Sequence, residues 1–167
     1  MTAPKVPPNE LSAIAAVQAI AAGTLSARAL TESCLARIAA REPDVGAWHF
    51  LDPAYALAQA DACDELQRQG HPLGALHGVP VGLKDIIDTA DMPTENGTPL
   101  CKGRRPAQDA TVVSRLRAAG AVVLGKTVTA EFAVHTLGKT INPWAPERTP
   151  GTSSVLPSKA LNLPAAT

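Results

Sequence analysis

The sequence predicts an α/β domain with helices packed on a sheet, and three observations predict it. Stretches with apolar residues at helical spacing alternate with apolar runs too short for helices. Residues that cap or stop helices fall at the ends of those stretches. The chain has 167 residues, of which 46% are hydrophobic and 18% charged, the length and balance of one domain with a real core.

In chain order, residues 1–9 are polar and proline-rich and read as a disordered arm. Leu11, Ile14, Val17 and Ala21 carry helical spacing, and Gly23 stops that helix. Ser26 caps a second helix with Leu30, Cys34 and Ile38 on its buried face and Arg28, Glu32, Arg37 and Arg41 toward water. Pro43 and Gly46 separate it from a short strand, AWHFLD. Asp52 followed by Pro53 opens an alanine-rich helix that runs to Gln69 and ends at Gly70. HPLGALHG is a loop leading into a strand around Lys84, and the Pro- and Gly-rich residues 91–108 are loop again. Asp109 is placed to cap a helix over ATVVSRLRAA, closed by Gly120, and AVVLG follows as a short buried strand. TAEFAVHTLG predicts a further short helix, and from Asn142 the chain is loop. No internal repeat is visible.

Several function classes are disfavoured. The formal net charge is zero, so no global positive field points to nucleic acid or an acidic membrane. No apolar run reaches bilayer-spanning length, and MTAPKVPPNE lacks the charged start and apolar middle of a secretory signal. Cys34, Cys63 and Cys101 are odd in number and irregularly spaced, which gives neither a disulfide framework nor a metal motif and fits a reducing cytoplasm. His49, His71, His77 and His135 show no metal-ligand pairing; His77 and His135 are candidates to line a pocket, against the blander role of ordinary polar histidines. GAVVLGKT, from Gly120 to Thr127, fits the phosphate-loop pattern letter for letter. The mechanism needs a strand before the loop and a helix after it, whereas here a helix precedes Gly120 and the interior AVVL is itself strand-like. A helix stop followed by a strand is the better reading, with Lys126 as a strand-end charge.

Lys84 is the odd residue. In LHGVPVGLKDIID, Val79, Val81, Leu83 and Ile87 share one strand face, and Pro80, Gly82, Lys84 and Ile86 the other. Gly82 beside Lys84 leaves space for another backbone to approach. A lysine there loses hydration, which disfavours its charged form and makes it a candidate general base. The competing reading is a strand-end lysine that snorkels to water.

Motifs around it carry a resemblance. GVPVGLKD resembles the G-[IV]-P-[VI]-x-[VL]-K-D segment of the amidase signature family. TENGTP is similar to the loop after that family's lysine strand, and DATVVSRLRAAGAVVLGKTVTAEFA to its helix, strand and GKT-x-x-x-EFA segment. NPWAPERTPGTSS resembles the approach to its glycine- and serine-rich signature, and LSARALTESCLARI its early helix. The resemblance spans residues 10–154 and implies a mixed β-sheet covered by α-helices, of which this chain is an amino-terminal portion. It further implies amide hydrolysis by a Ser–Ser–Lys triad, in which one serine attacks, a second relays its proton, and a lysine accepts it. Lys84 matches the lysine and Ser153 the relay serine. A small-molecule amide substrate is implied, with no cofactor, metal, nucleic acid or membrane.

The match stops after Ser154. Thr152 replaces a glycine, and Val155, Leu156 and Pro157 stand where glycines and serine are expected. The family's D-x-G-G-S nucleophile segment does not follow, and Ser154, Ser158 and Thr167 lack its context. Residues 155–167 are therefore expected to be an irregular tail outside the family pattern, the product of a frameshift or premature stop. Without nucleophile and oxyanion hole, these residues alone are expected to be inactive, and with sheet edges and apolar helix faces uncovered, poorly soluble or partly ordered. The alternatives are a glutamine-hydrolysing amidase subunit of an aminoacyl-tRNA amidotransferase and a non-catalytic relic.

Overall fold

Among the described residues, local capping chemistry starts three of the four α-helices. Ser12 accepts the Ala15 N–H at 3.2 Å to open α1, Ala13–Ala21; Ser26 accepts from Ala29 at 3.0 Å to open α2, Ala27–Val45. A strand, β1, spans Trp48–Leu51. Asp52 then accepts from Tyr55 at 2.9 Å to open α3, Pro53–Arg68, with Pro53 in the first turn. Each such cap contributes about 1 kcal/mol. The structure, a computed structural model, describes residues 6–134 and 136–150.

Four local expectations are corrected. Pro43 does not end α2: it sits inside the last turn, giving up the one hydrogen bond its N–H would have made, and Gly46 in the left-handed region (φ 60°) provides the stop. Pro8–Glu10 forms a 3₁₀ turn, tied to α2 by Asn9 N–H donating to Ser33 Oγ at 3.2 Å. Asp109 does not cap the helix that follows, α4, Thr111–Ala118; its carboxylate accepts instead from Ala90 N–H and Arg117 Nε. The helix expected over TAEFAVHTLG is a single 3₁₀ turn, Glu131–Ala133, broken by left-handed Phe132 (φ 46°) and Ala133 (φ 62°).

The strands β1, β2 (Pro80–Lys84) and β3 (Val122–Thr127) form a mixed sheet in the order β1-β3-β2. β3 pairs antiparallel with β1 and parallel with β2. All six residues of β3 are buried, as a central strand covered on both faces requires. Each pairing carries an irregularity. Between Trp48 and Phe50 the partner moves only from Thr127 to Lys126, so His49 is the extra residue; between Val81 and Gly82 it jumps from Val123 to Gly125, so Leu124 is extra.

Two apolar clusters flank the sheet. The larger joins Ile20, Leu30, Ile38, Trp48, Ala56 and Ala60 to Val122 and Leu124. The smaller joins Leu83, Met92, Val113 and Val123, with Val81 and Ile87 against it. The face expected for α1 is rotated: Ala16 and Ile20 are buried, while Ile14 is 72% exposed. Five of the nine residues of α1 are alanine, so spacing alone defines its apolar stripe weakly and tertiary packing selects Ile20. On α2, Leu30 and Ile38 are buried as expected and Cys34 is half-buried.

Candidate functional site

The site lies where β2 and β3 end side by side. Lys84, the last residue of β2, pairs with Thr127, the last of β3, and is half-buried. Carboxyl ends of parallel neighbours are where open α/β sheets bind ligands. The open space expected beside Gly82 is filled by a side chain rather than by backbone: a Cβ built on Gly82 would lie 2.9 Å from the Trp48 indole and 3.1 Å from Thr127 Cγ2. The absent side chain at 82 thus admits the tryptophan.

Asp85 follows and is completely buried. Its N–H donates to the Thr127 carbonyl at 2.9 Å, and its carbonyl accepts from Asn96 at 2.9 Å. Its carboxylate accepts the Glu95 N–H at 3.2 Å and, more weakly, that of Gly97 at 3.5 Å. One aspartate therefore folds the loop 94–98 back over the end of the sheet. Burial pushes this carboxyl above its ordinary value, against the pull of those N–H groups, His49 and Lys126.

Lys126 is the buried lysine of the sheet, with no exposed surface, and not the strand-end charge expected. Its Nζ donates to the Ile87 carbonyl and to Thr94 Oγ1, both at 2.6 Å, with Thr89 Oγ1 at 3.4 Å and Asp85 Oδ1 at 3.9 Å. Strict alternation from Val122 and Leu124 would send this side chain toward α2 and α3; the extra residue Leu124 turns it to the other face. Burial lowers its pKa from 10.5 to about 8. The rejection of a phosphate loop stands: α4 precedes Gly120, and GKT is the end of β3.

His49, the extra residue of β1, points at the same loop. Its Nε2 lies 2.9 Å from Glu95 Oε2 and 3.8 Å from Asp85 Oδ2. Glu95 also accepts the Gly103 N–H at 2.6 Å, the largest cause of a pKa below its ordinary value. These groups border a cleft of about 430 Å³ lined by His49, Asp85, Glu95, Thr98 and Thr129 among others. Its wall requires glycine at 97, where φ is +65° and a Cβ would sit 2.7 Å from the Thr129 carbonyl.

Of the two predicted site residues, Lys84 stands at this edge, and Ser153 lies outside the described residues. Asp85, Lys126, His49 and Glu95 escaped the sequence reading. A buried lysine in GKT carries no local signal, and His49 and Glu95 meet only through the fold. His77 is buried, its Nε2 3.0 Å from the Cys63 carbonyl, a structural role; His135 lies outside the described residues. Among the described residues, no group of three or more His, Cys, Asp and Glu is arranged to hold a metal. The edge carries Lys84, half-buried at the end of β2, and next to it a loop held from beneath by Asp85 and Lys126.

Comparison with known proteins identifies relatives of this arrangement. The profile of the Amidase family matches residues 29–155. A glutamyl-tRNA(Gln) amidotransferase subunit of Chloroflexus aurantiacus is 47% identical over 152 residues, which is 87% of this chain and 31% of that protein. AmiD of Mycobacterium tuberculosis, named as an amidase, is 46% identical over 134 residues, 78% of this chain and 28% of that one. Among solved structures, the peptide amidase of Stenotrophomonas maltophilia superposes with a TM-score of 0.72 at 40% identity, over 81% of this chain and 28% of that chain. A bacterial aryl acylamidase of the amidase signature enzymes gives a TM-score of 0.82 at 26% identity, over 89% of this chain and 32% of that one. The chain thus spans about a third of the length of the relatives it matches.

Proposed function

The chain belongs to the amidase signature family, and we propose that it supplies the proton-accepting part of a Ser–Ser–Lys amide hydrolase, with Lys84 as base and Ser153 as relay. The bond cleaved is a carboxamide C–N bond. A nucleophilic serine, from a segment these 167 residues do not contain in its motif context, attacks the carbonyl. Ser153 hands that serine's proton to Lys84, which returns a proton through the relay to the departing amine. Side chains and backbone N–H groups suffice for these steps, and these residues by themselves release no ammonia. A small-molecule amide is the substrate, and a reducing, cytoplasmic setting fits the three free thiols, Cys34, Cys63 and Cys101.

The observation that carries this reading is the position of Lys84. It is half-buried at the carboxyl edge of the sheet, immediately before an aspartate that is completely buried and locks the next loop. A base must be held in one geometry to accept a proton on each turnover. A second reading, a glutamine-hydrolysing subunit that passes ammonia to a partner, is favoured by the 47% identity to an amidotransferase subunit.

The test exchanges residues 10–154 for the matching segment of the full-length Chloroflexus aurantiacus relative and measures ammonia release from glutamine and from simple carboxamides. Lys84→Ala is expected to lower kcat by about 10³-fold or more. Lys84→Arg should fail equally, because a guanidinium keeps its proton. Near-normal turnover in the arginine variant would remove Lys84 from the role of base. Preference for glutamine or for simple amides decides between the two readings.

A further inference from the structure

The chain leaves β2 through a tight turn, and one buried amine holds that turn. Ile87 N–H donates to the Lys84 carbonyl at 2.9 Å and closes the turn over residues 84–87. The carbonyl of the same Ile87 accepts from Lys126 Nζ at 2.6 Å. Ile87 thus links the amine of Lys126 to the backbone of Lys84. In the register Lys126 pairs with Leu83, so its side chain reaches from β3 to the segment that follows β2.

The surroundings of that amine suit an ammonium. An ammonium has N–H donors and no lone pair. Its acceptors here are the Ile87 carbonyl, Thr94 Oγ1 at 2.6 Å and, more weakly, Thr89 Oγ1 at 3.4 Å. The hydroxyl hydrogens are committed elsewhere: Thr89 Oγ1 donates to the Met92 carbonyl at 3.3 Å, and Thr94 Oγ1 to the Ile87 carbonyl at 3.4 Å. Lys126, Thr89 and Thr94 are completely buried, and Asp85 Oδ1, 3.9 Å away, supplies countercharge. Apolar packing would fill the same volume without the cost of desolvating an ion. What the ammonium adds is direction, because charge-assisted hydrogen bonds fix where a carbonyl sits.

We propose that Lys126 is a positioning residue for Lys84: by holding Ile87 it fixes the turn that closes on the Lys84 carbonyl, and so the place from which the Lys84 amine takes its proton. The inference rests on the reading of Lys84 as base and adds the residue that aims it. Misplacing a catalytic group by about 1 Å costs on the order of 100-fold in rate.

The experiment uses the full-length chimera in which residues 10–154 replace the matching segment of the Chloroflexus aurantiacus relative. Thr94→Val removes one of the two 2.6 Å bonds to the amine and keeps the side chain's shape, whereas Thr94→Ser keeps the hydroxyl. Lys126→Met and Thr94→Val should each lower kcat by about 10- to 100-fold with KM within about twofold, and Thr94→Ser should restore kcat. Val113→Ala opens a cavity in the neighbouring apolar cluster without touching the amine, and should leave kcat unchanged. The deciding measurement is the cycle with Lys84→Ala. Added to Lys84→Ala, Thr94→Val should cause less than about a twofold further loss, because no base remains to misplace. In the 167-residue chain, exchange of the Ile87 amide should quicken about tenfold in Thr94→Val and recover in Thr94→Ser. Full kcat in a folded Lys126→Met or Thr94→Val chimera, an equal loss with and without Lys84, or unchanged Ile87 exchange would each overturn the proposal. Normal turnover by Lys84→Ala is a separate failure: it removes the base, and the aiming role with it, whatever Thr94→Val does.

Discussion

Two lysines lie at the carboxyl ends of neighbouring strands, Lys84 last in β2 and Lys126 next to last in β3, and their burial differs. Lys126 has no exposed surface and spends its amine on Ile87, Thr94 and Thr89, whereas Lys84 is half-buried at the end of β2. Burial costs the charged amine of Lys126, so its pKa is about 8 in the fold against 10.5 unfolded. Between those two values the unfolded chain binds the extra proton, so this residue makes stability rise with pH, by roughly 3 kcal/mol across the window. Cys34 acts in the opposite sense: burial pushes its thiol up to about 11, and stability from it is lost as pH rises above its ordinary value. The contribution of Lys126 is therefore read as a difference. Equilibrium urea unfolding of the chain and of Lys126→Met at pH 8 and pH 10.5 should show the wild type gaining about 3 kcal/mol relative to the variant. Equal pH slopes would mean that the amine titrates normally. Asp85 and Lys126 hold the loop that frames the cleft, Asp85 through the N–H groups of Glu95 and Gly97 and Lys126 through Ile87 and Thr94.

At the scale of elements, β3 organises the domain. It pairs with both other strands, is buried throughout, and its extra residue Leu124 redirects Lys126 to the loop that frames the site. Its Gly125 admits the closest backbone approach in the sheet. A Cβ there would lie 2.2 Å from the Phe50 carbonyl and 3.0 Å from Leu51 Cα, contacts that only a backbone shift can relieve. Gly125→Ala should cost about 3 kcal/mol or more and loosen β1 first, seen as faster amide exchange at Trp48–Leu51. Gly23→Ala is the control: φ is +69°, but nothing lies within 4 Å of the added methyl, so only the conformational cost of about 1–2 kcal/mol applies. If the two variants cost the same, the close approach at Gly125 is not a constraint. α2 is fastened to its neighbours by polar groups as well: Asp64 of α3 accepts from the N–H groups of Ala27 and Arg28, and Glu42 accepts from those of Ala47 and Trp48.

At the scale of the whole molecule, the described residues form three strands and four α-helices around two apolar clusters, while Phe132, Val134, Leu137, Ile141 and Trp144 stay at the surface. Such a surface predicts behaviour apart from any binding partner. The 167-residue chain alone should bind an apolar dye such as ANS and self-associate as concentration rises. Replacing Trp144 and Leu137 by lysine should reduce both, because it places charge on the patch without touching the core. A chain that stays monodisperse and dye-free would show that the patch is covered in solution. No helix among the described residues is long and apolar enough to cross a membrane.

The sequence alone determined the family, the α/β class, the order of the main elements and the position of Lys84 on a strand. These are written in local patterns: caps at Ser26 and Asp52, a stop at Gly46, apolar runs around Lys84 and Lys126, and ordered motifs from GVPVGLKD to NPWAPERTPGTSS. Tertiary structure decided which face of α1 is buried, why Asp109 bonds to Arg117 instead of capping α4, and why the helix expected over TAEFAVHTLG is a single 3₁₀ turn at Glu131–Ala133. It alone decided which lysine is buried. An irregular register displaces a strand by one residue and reverses its facing, and that displacement is set by the neighbouring strands rather than by the strand's own residues.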